Sequence, residues 1–404
     1  MNNFIFKLKL KYFFMKHSVV IIESDDWGYA SMYNKDKFES VKSFIKDFNS
    51  PYAYHCIENK EDLEKLFELC SMLKDDYDNN LVFTANFIVQ QPDFNKIIEN
   101  NFEKLFFKNI DVKKYKQLIK NKVFFPQFHG RHHFNIKNWE YDLKNDLNNS
   151  RLLCENEVFV LIPYNIQRYN GENAEVTKNE IKFHNEEYLR YLIEYGLKIF
   201  KKLFGFNSKS VIAPSYYKNE ICEKIYFENG VKYIQGDDFS HLHKKESKLI
   251  NKKTYLGNKS NGLISLCRNI IFEPSRWFFN KNDLIHQKNI LFLKTKEEIY
   301  KGNPLVICSH SYNYLGSLNS SMRDFSLNQL KDYIIYINKI NHKTIFLNSV
   351  QLGELLETGK IEELKLNIAD DIKLNYFEML LNLIKSKYLK LKILFFKVIK
   401  RINK

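Results

Sequence analysis

Apolar, β-branched runs of strand length recur along this chain, each passing directly into polar residues, with amphipathic helical stretches between them. The first is Val19-Val20-Ile21-Ile22, which continues as Glu23-Ser24-Asp25-Asp26-Trp27-Gly28. A run of this kind, bounded by polar residues and Gly, reads as a buried strand. Leu81 to Phe87, Val123 to Phe128, Ser210 to Ala213, Leu263 to Phe272, Leu305 to Cys308 and Thr344 to Leu347 read the same way. Residues 36–47, 61–74, 182–204 and 324–340 carry helical periodicity, the third closed by Gly205. Strands alternating with helices imply a mainly parallel sheet, and the number of units suits a closed or nearly closed β/α barrel. No linker rich in Pro, Gly or Ser divides the chain, so one α/β domain is expected over residues 18–360. A basic segment (1–17) precedes it and a basic amphipathic helical tail (361–404) follows.

The polar residues that stand out, Asp25, Asp26, His129, His133, Tyr216 and His310, each follow the C-terminal end of a predicted strand. In β/α barrels that rim carries the active site. Asp25 and Asp26 are neighbours on an extended segment, so they point to opposite faces unless the chain is already turning at Trp27-Gly28. The plain alternative is one capping and one solvated Asp at a strand end. His129 and His133, four apart, lie on one side of a helical turn and suit a shared metal ion. With a carboxylate from another strand end they form a two-His, one-acid set that leaves a coordination position open. Zinc suits it, and other divalent first-row ions bind similar sites. His132 competes with its neighbours for that role.

Charge narrows the partners. Four lysines and no acid precede Glu23; seven lysines and Arg401, with no acid, follow Glu378, so the ends hold nearly all of the net +14. A near-neutral body disfavours a nucleic-acid groove. If residues 385–404 are helical, Tyr388, Leu391, Phe395, Val398, Ile399 and Ile402 share one face, and Lys390, Lys397, Lys400, Arg401 and Lys404 the other. That pattern fits either a helix on an anionic membrane surface or one packed on the body with a solvated basic face. The six cysteines have no C-x-x-C spacing, which suits reduced thiols, and neither a bilayer span nor a secretory leader is expected. A cytoplasmic protein, peripheral at the inner face of the membrane in the first reading of the tail, is the expectation.

Several motifs together resemble a family. Asp25-Asp26, His129-x-x-x-His133, the Pro214 to Tyr216 element and Ser309-His310 look like the ordered motifs of metal-dependent polysaccharide deacetylases of the NodB-homology type, similar to carbohydrate esterase family 4. Glu23 to Gly28, Phe128-His129-Gly130-Arg131-x-His133-x-Asn135, Phe272-Glu273-Pro274-Ser275 and Ser309-His310-x-Tyr312-Asn313-Tyr314 look more narrowly like its bacterial polysaccharide (de)acetylase branch, over roughly residues 18–350. The resemblance implies a distorted (β/α) barrel that removes acetyl groups from N-acetylated, or O-acetylated, sugars of a surface polysaccharide or its precursor. Asp26, His129 and His133 would hold the divalent ion, Asp25 would be the base, and His310 the acid. The backbone near Tyr216 would face the developing oxyanion. Trp27, Asn135, Tyr216, Arg268 and Asn313 are the remaining residues expected at the substrate.

The chain departs from the wider pattern in two places. Glu23-Ser24 stands where Thr-Phe is usual, and the Arg before the Pro-Tyr element, which in the family helps hold the base, is missing from Ala213-Pro214-Ser215-Tyr216. Arg268 and Arg131 are the candidates to replace it. Two competing readings stay open: a glycoside hydrolase using Asp25 and Glu273 across a sugar, and a glycan- or membrane-binding protein with a vestigial metal site.

Overall fold

The computed structural model describes residues 3–402 apart from 46, 160–170, 177–180, 238, 244–248, 341 and 342, and within helices and strands some side chains, including 397–402, lie outside the description. Its main sheet is built from β1 (Ser18–Trp27), β2 (Phe83–Ile88), β3 (Phe124–Gly130), β4 (Ser210–Val211), β5 (Tyr233–Asp237), β6 (Lys259–Ser260), β7 (Leu263–Arg268), β8 (Ile270–Ile271), β9 (Leu305–His310) and β10 (Thr344–Phe346). The spatial order is β6-β7-β5-β4-β3-β2-β1-β9-β8, with β10 also on β1. Every pairing is parallel except β6 with β7. β7 runs beside β5 while β8, one residue further on, runs beside β9, so one extended segment links the two ends of the order. The sheet therefore curls into a distorted barrel, with β1 central.

The strands bury every residue of β1, β2 and β7, the signature of a parallel sheet covered on both faces. Outside it lie α1 (Asn3–Lys16), α2 (Lys60–Met72), α3 (Ile136–Lys144), α4 (Glu186–Phe204), α5 (Glu220–Glu228), α6 (Pro274–Phe279), α7 (Leu284–Lys301), α8 (Ser320–Asn338), α9 (Ser349–Thr358) and α10 (Tyr376–Ile402). α4 ends as expected, Gly205 taking φ +81° as its left-handed cap. All six cysteines are free and buried.

One expectation changes here. Where a helix is expected over 36–47, Lys35–Lys37 and Lys42–Phe44 form short 3-10 turns around one four-residue helical turn, Phe38–Val41. The basic N-terminal segment is helical over Asn3–Lys16, and Leu10, Phe13 and Phe14 of α1 pack into one cluster with Val19, Ile21, Val306 and Ile345. Each such fully buried apolar side chain contributes roughly 1.5–3 kcal/mol. After α9, Lys360–Ile361 and Leu366–Asn367 form a small antiparallel pair, whose Ile361 and Leu366 join the same cluster. Among the described residues no helix is long and apolar enough to cross a membrane.

Candidate active site

β1 delivers both acids to one place because the chain turns one residue earlier than expected. Asp26 takes φ +69°, and the β1–β2 register shifts between Ser24 and Trp27, so the alternation that would send Asp25 and Asp26 to opposite faces is broken at Asp26 itself. A left-handed Asp is uncommon and costs roughly 1–3 kcal/mol unless its surroundings hold it. Trp27 supplies part of that hold. Its indole is fully buried against Phe124 and Tyr314 and donates to Ser24 Oγ at 3.0 Å. Trp27 is thus an anchor of the turn and does not reach the cleft. The next residue, Gly28, sits at φ +77° and donates its N–H to Glu58 Oε1 at 2.8 Å.

His129 and His133 do come together, by a different route from the helical turn. His129 is on β3, Gly130 follows at φ +133°, and His133 has φ +71°. Glu172 ties this loop from behind: its Oε2 accepts from Arg131 N at 2.9 Å and occupies the space a Cβ at residue 130 would need. Burial pushes the Glu172 carboxyl up to about 7 against the pull of those backbone donors. His132 turns away onto the Phe107 ring, 3.9 Å between centroids, and leaves the coordinating role to its neighbours.

Asp26 Oδ1 lies 3.2 Å from Nε2 of both His129 and His133. One ligand atom from each of the three falls within 4.8 Å of the others. His129 donates its Nδ1–H to the Ile212 carbonyl at 3.1 Å, which orients the ring and, in its neutral form, leaves Nε2 free to ligate an ion beside the carboxylate. Two imidazole nitrogens and a carboxylate converging in this way fit a divalent first-row cation such as zinc.

Asp25 is gripped from the other side. Arg268 donates Nη1–H to Asp25 Oδ2 and Nη2–H to Oδ1, both at 2.7 Å, and Asn86 Nδ2 adds 2.8 Å to Oδ1. Arg268 Nε reaches Glu23 Oε2 at 2.7 Å, and Glu23 Oε1 accepts from Ser349 Oγ at 2.7 Å. Burial alone would raise the Asp25 carboxyl, but the guanidinium outweighs it and holds it below the usual range. Of the two arginines considered for holding Asp25, Arg268 is the one that reaches it. Arg131 is committed elsewhere, to Gln90 Oε1 at 2.7 Å and the Tyr195 ring.

His310, at the end of β9, pairs its Nδ1 with Glu273 Oε1 at 2.6 Å. Burial opposes protonation, and Glu273 more than offsets it, raising His310 to about 9. With Nδ1–H spent on Glu273, Nε2–H is the proton left to give. Asn313 serves this pair and not a substrate. It is fully buried, donates Nδ2–H to Glu273 Oε2 at 2.6 Å and accepts at Oδ1 from Ser275 N and Oγ. Asn135 likewise caps α3 through Asn138 N and donates to the Ala174 carbonyl.

Asp25, Asp26, His129, His133, Tyr216 and His310 line one cavity of about 270 Å³. Tyr216 is at φ +63°, its amide donates to the Ala213 carbonyl at 2.9 Å, and its hydroxyl takes 3.0 Å from Arg268 Nη1. That amide is thus used within its own turn. Tyr29, Tyr52 and His55 also line the cavity and were not singled out in the sequence. Tyr29 stacks on His133 with centroids 5.3 Å apart, and burial lowers His55 to about 4, keeping it neutral. Tyr29, Tyr52 and His55 lie in the irregular stretch after β1, where aromatic residues are scattered with no regular period.

No family model matches the chain, and no curated protein matches it in sequence. Among solved structures it is similar to Agd3, a carbohydrate deacetylase, at 10% identity and TM-score 0.42, covering 85% of this chain and 54% of that one. A 4-alpha-glucanotransferase from Thermococcus litoralis follows at 12% identity and TM-score 0.36, covering 83% and 40%. A Mycobacterium smegmatis protein assigned as a polysaccharide deacetylase has 11% identity and TM-score 0.35, covering 86% and 92%. At these scores the functional reading rests on the site itself.

Proposed function

We propose that this protein is a metal-dependent carbohydrate deacetylase, hydrolysing the acetamide or acetyl ester of an acetylated sugar in a bacterial surface polysaccharide or its precursor. The observation that carries the reading is the convergence, in one cavity, of the Asp26–His129–His133 set with an Arg-held Asp25 and a Glu-held His310. A divalent cation bound there would polarise an acyl carbonyl and acidify water. Asp25 is kept ionised by Arg268 and so can take a proton from water. His310 is kept protonated by Glu273 and gives its Nε2 proton to the departing amine or alkoxide. The same contacts disfavour a glycoside hydrolase, since both carboxyls of the Asp25 and Glu273 pair already carry a cationic partner.

Acetate release from N-acetylated and O-acetylated oligosaccharides is the test, using zinc-loaded wild type beside Asp25→Asn. Release by wild type that falls by roughly 10²–10⁴ in the variant, at unchanged metal content, is expected. Zinc-loaded protein that releases no acetate from any acetylated sugar would abandon the reading.

Glu273→Gln is expected to move the alkaline limb of kcat/KM. His310 titrates at about 9 with Glu273 beside it, and a cation in the neighbouring set lowers that value by repulsion, so the wild-type limb falls at or below that pH. Activity is lost as pH rises through it, because the acid is then deprotonated. Without the Glu273 charge, burial dominates and the limb drops by about a unit or more. An unmoved limb would separate His310 from the proton transfer. The stability sign agrees: a raised His310 stabilises the fold fully below its unfolded value of ~6.5 and ceases to do so as pH passes about 9.

A further inference from the structure

α10 buries one face and leaves an apolar stripe on the other. Met379 packs with Tyr12 and Met15 of α1, and Asn382, Ser386 and Ile393 are also buried. Opposite them, Phe377, Leu380, Leu381, Ile384, Tyr388, Leu391 and Phe395 are 40–71% exposed. At about 100° per residue these seven lie within roughly 60° of one line, a straight stripe over five turns. Lysines border it on both sides: Lys385 and Lys392 along one edge and Lys387 along the other, all exposed. The helix carries no acid after Glu378, which is itself paired with Lys16 at 2.9 Å.

From this arrangement we infer that α10 docks the protein flat on an anionic lipid bilayer, the apolar stripe in the acyl boundary and the flanking lysines at the headgroups. Charge selects this occupant. A second copy would bring the same lysine rows against themselves across a two-fold axis, and like charges directly opposed are costly. The helix is also too interrupted by lysine to span the bilayer. Its orientation follows from its neighbour. Lys385 lies over Tyr300 near the end of α7, and Phe396 against His286 near its start, so α10 runs antiparallel to α7 toward the rim that carries Glu273 and His310. Ile393 shares a cavity of about 460 Å³ with Glu273 and Arg276. A bilayer along α10 would therefore lie beside the catalytic rim. This inference stands apart from the chemistry proposed for the cleft.

Full-length protein is to be sedimented with vesicles of equimolar phosphatidylglycerol and phosphatidylcholine, and with phosphatidylcholine alone, while light scattering reports its mass without lipid. The expected result is a monomer that binds the anionic vesicles and is released by salt. Both Ile384→Glu/Leu391→Glu and Lys387→Glu/Lys392→Glu should weaken that binding by at least about tenfold, with far-UV circular dichroism and melting temperature as in wild type. No binding to anionic vesicles, binding unchanged in both variants, or a dimer that Ile384→Glu/Leu391→Glu dissolves would overturn the inference, the last by assigning the stripe to a second copy.

Discussion

Asp26→Ala is expected to lose the metal and, with it, essentially all acetate release. Asp26 supplies the anionic ligand that both imidazoles face, and its Oδ1 is 3.2 Å from each Nε2. His129→Ala should behave alike, because its Nε2 is oriented by the Ile212 carbonyl and no neighbour replaces it: His132 is packed on Phe107. The checks are elemental analysis and melting with added zinc. Wild type should carry about one transition metal per chain and melt higher as zinc rises, since a ligand at a hundred times its Kd stabilises the native state by about 2.7 kcal/mol. Neither variant should respond. Chelation of wild type should remove activity and that increment together, and both should return with zinc. A wild type that holds no metal and shows no zinc-dependent melting would make the three-residue set a hydrogen-bonded cluster and nothing more.

Much of this cleft was legible before any coordinates. The residues that converge all follow apolar runs, and a parallel sheet gathers such strand ends on one rim. What the sequence withheld is local backbone geometry. Periodicity alone puts Asp25 and Asp26 on opposite faces, and only the left-handed Asp26 brings them together. The four-residue spacing of His129 and His133 looked helical, yet it spans a strand end, a Gly at φ +133° and a left-handed His. Trp27, Asn135 and Asn313 are adjacent to the chemistry in sequence and buried beside it in space, where they hold turns and partners instead of substrate. α7 escaped notice because it is covered by the sheet on one side and α10 on another, so its apolar residues are not confined to one stripe. The departure Glu23-Ser24 acquires a meaning only in three dimensions, where Glu23 is one end of the Arg268 clamp.

That clamp sets the other large effect. Arg268→Met should cost about 3–5 kcal/mol of stability, because it leaves Glu23 and Asp25 as two buried carboxylates without their cation. Restoring neutrality at one end should recover part of that loss, so the double variant Arg268→Met/Glu23→Gln is expected to be more stable than Arg268→Met alone in urea denaturation. Catalysis should not recover with it. With Arg268 present, Asp25 is held below the usual carboxylate range, and its contribution to stability is present above the unfolded value of ~3.9 and lost as pH falls through the lower folded value. Without Arg268, burial dominates, the folded value rises, and the acidic limb of kcat/KM should move to higher pH by more than about one unit. Arg268→Lys separates charge from geometry. It keeps a cation near Asp25 but cannot reproduce three donors in one plane, so it should regain much of the stability and little of the rate. If Arg268→Met shifted stability alone and left the acidic limb in place, Asp25 would not be the base, and the proton from water would have to be taken by another group lining the cleft.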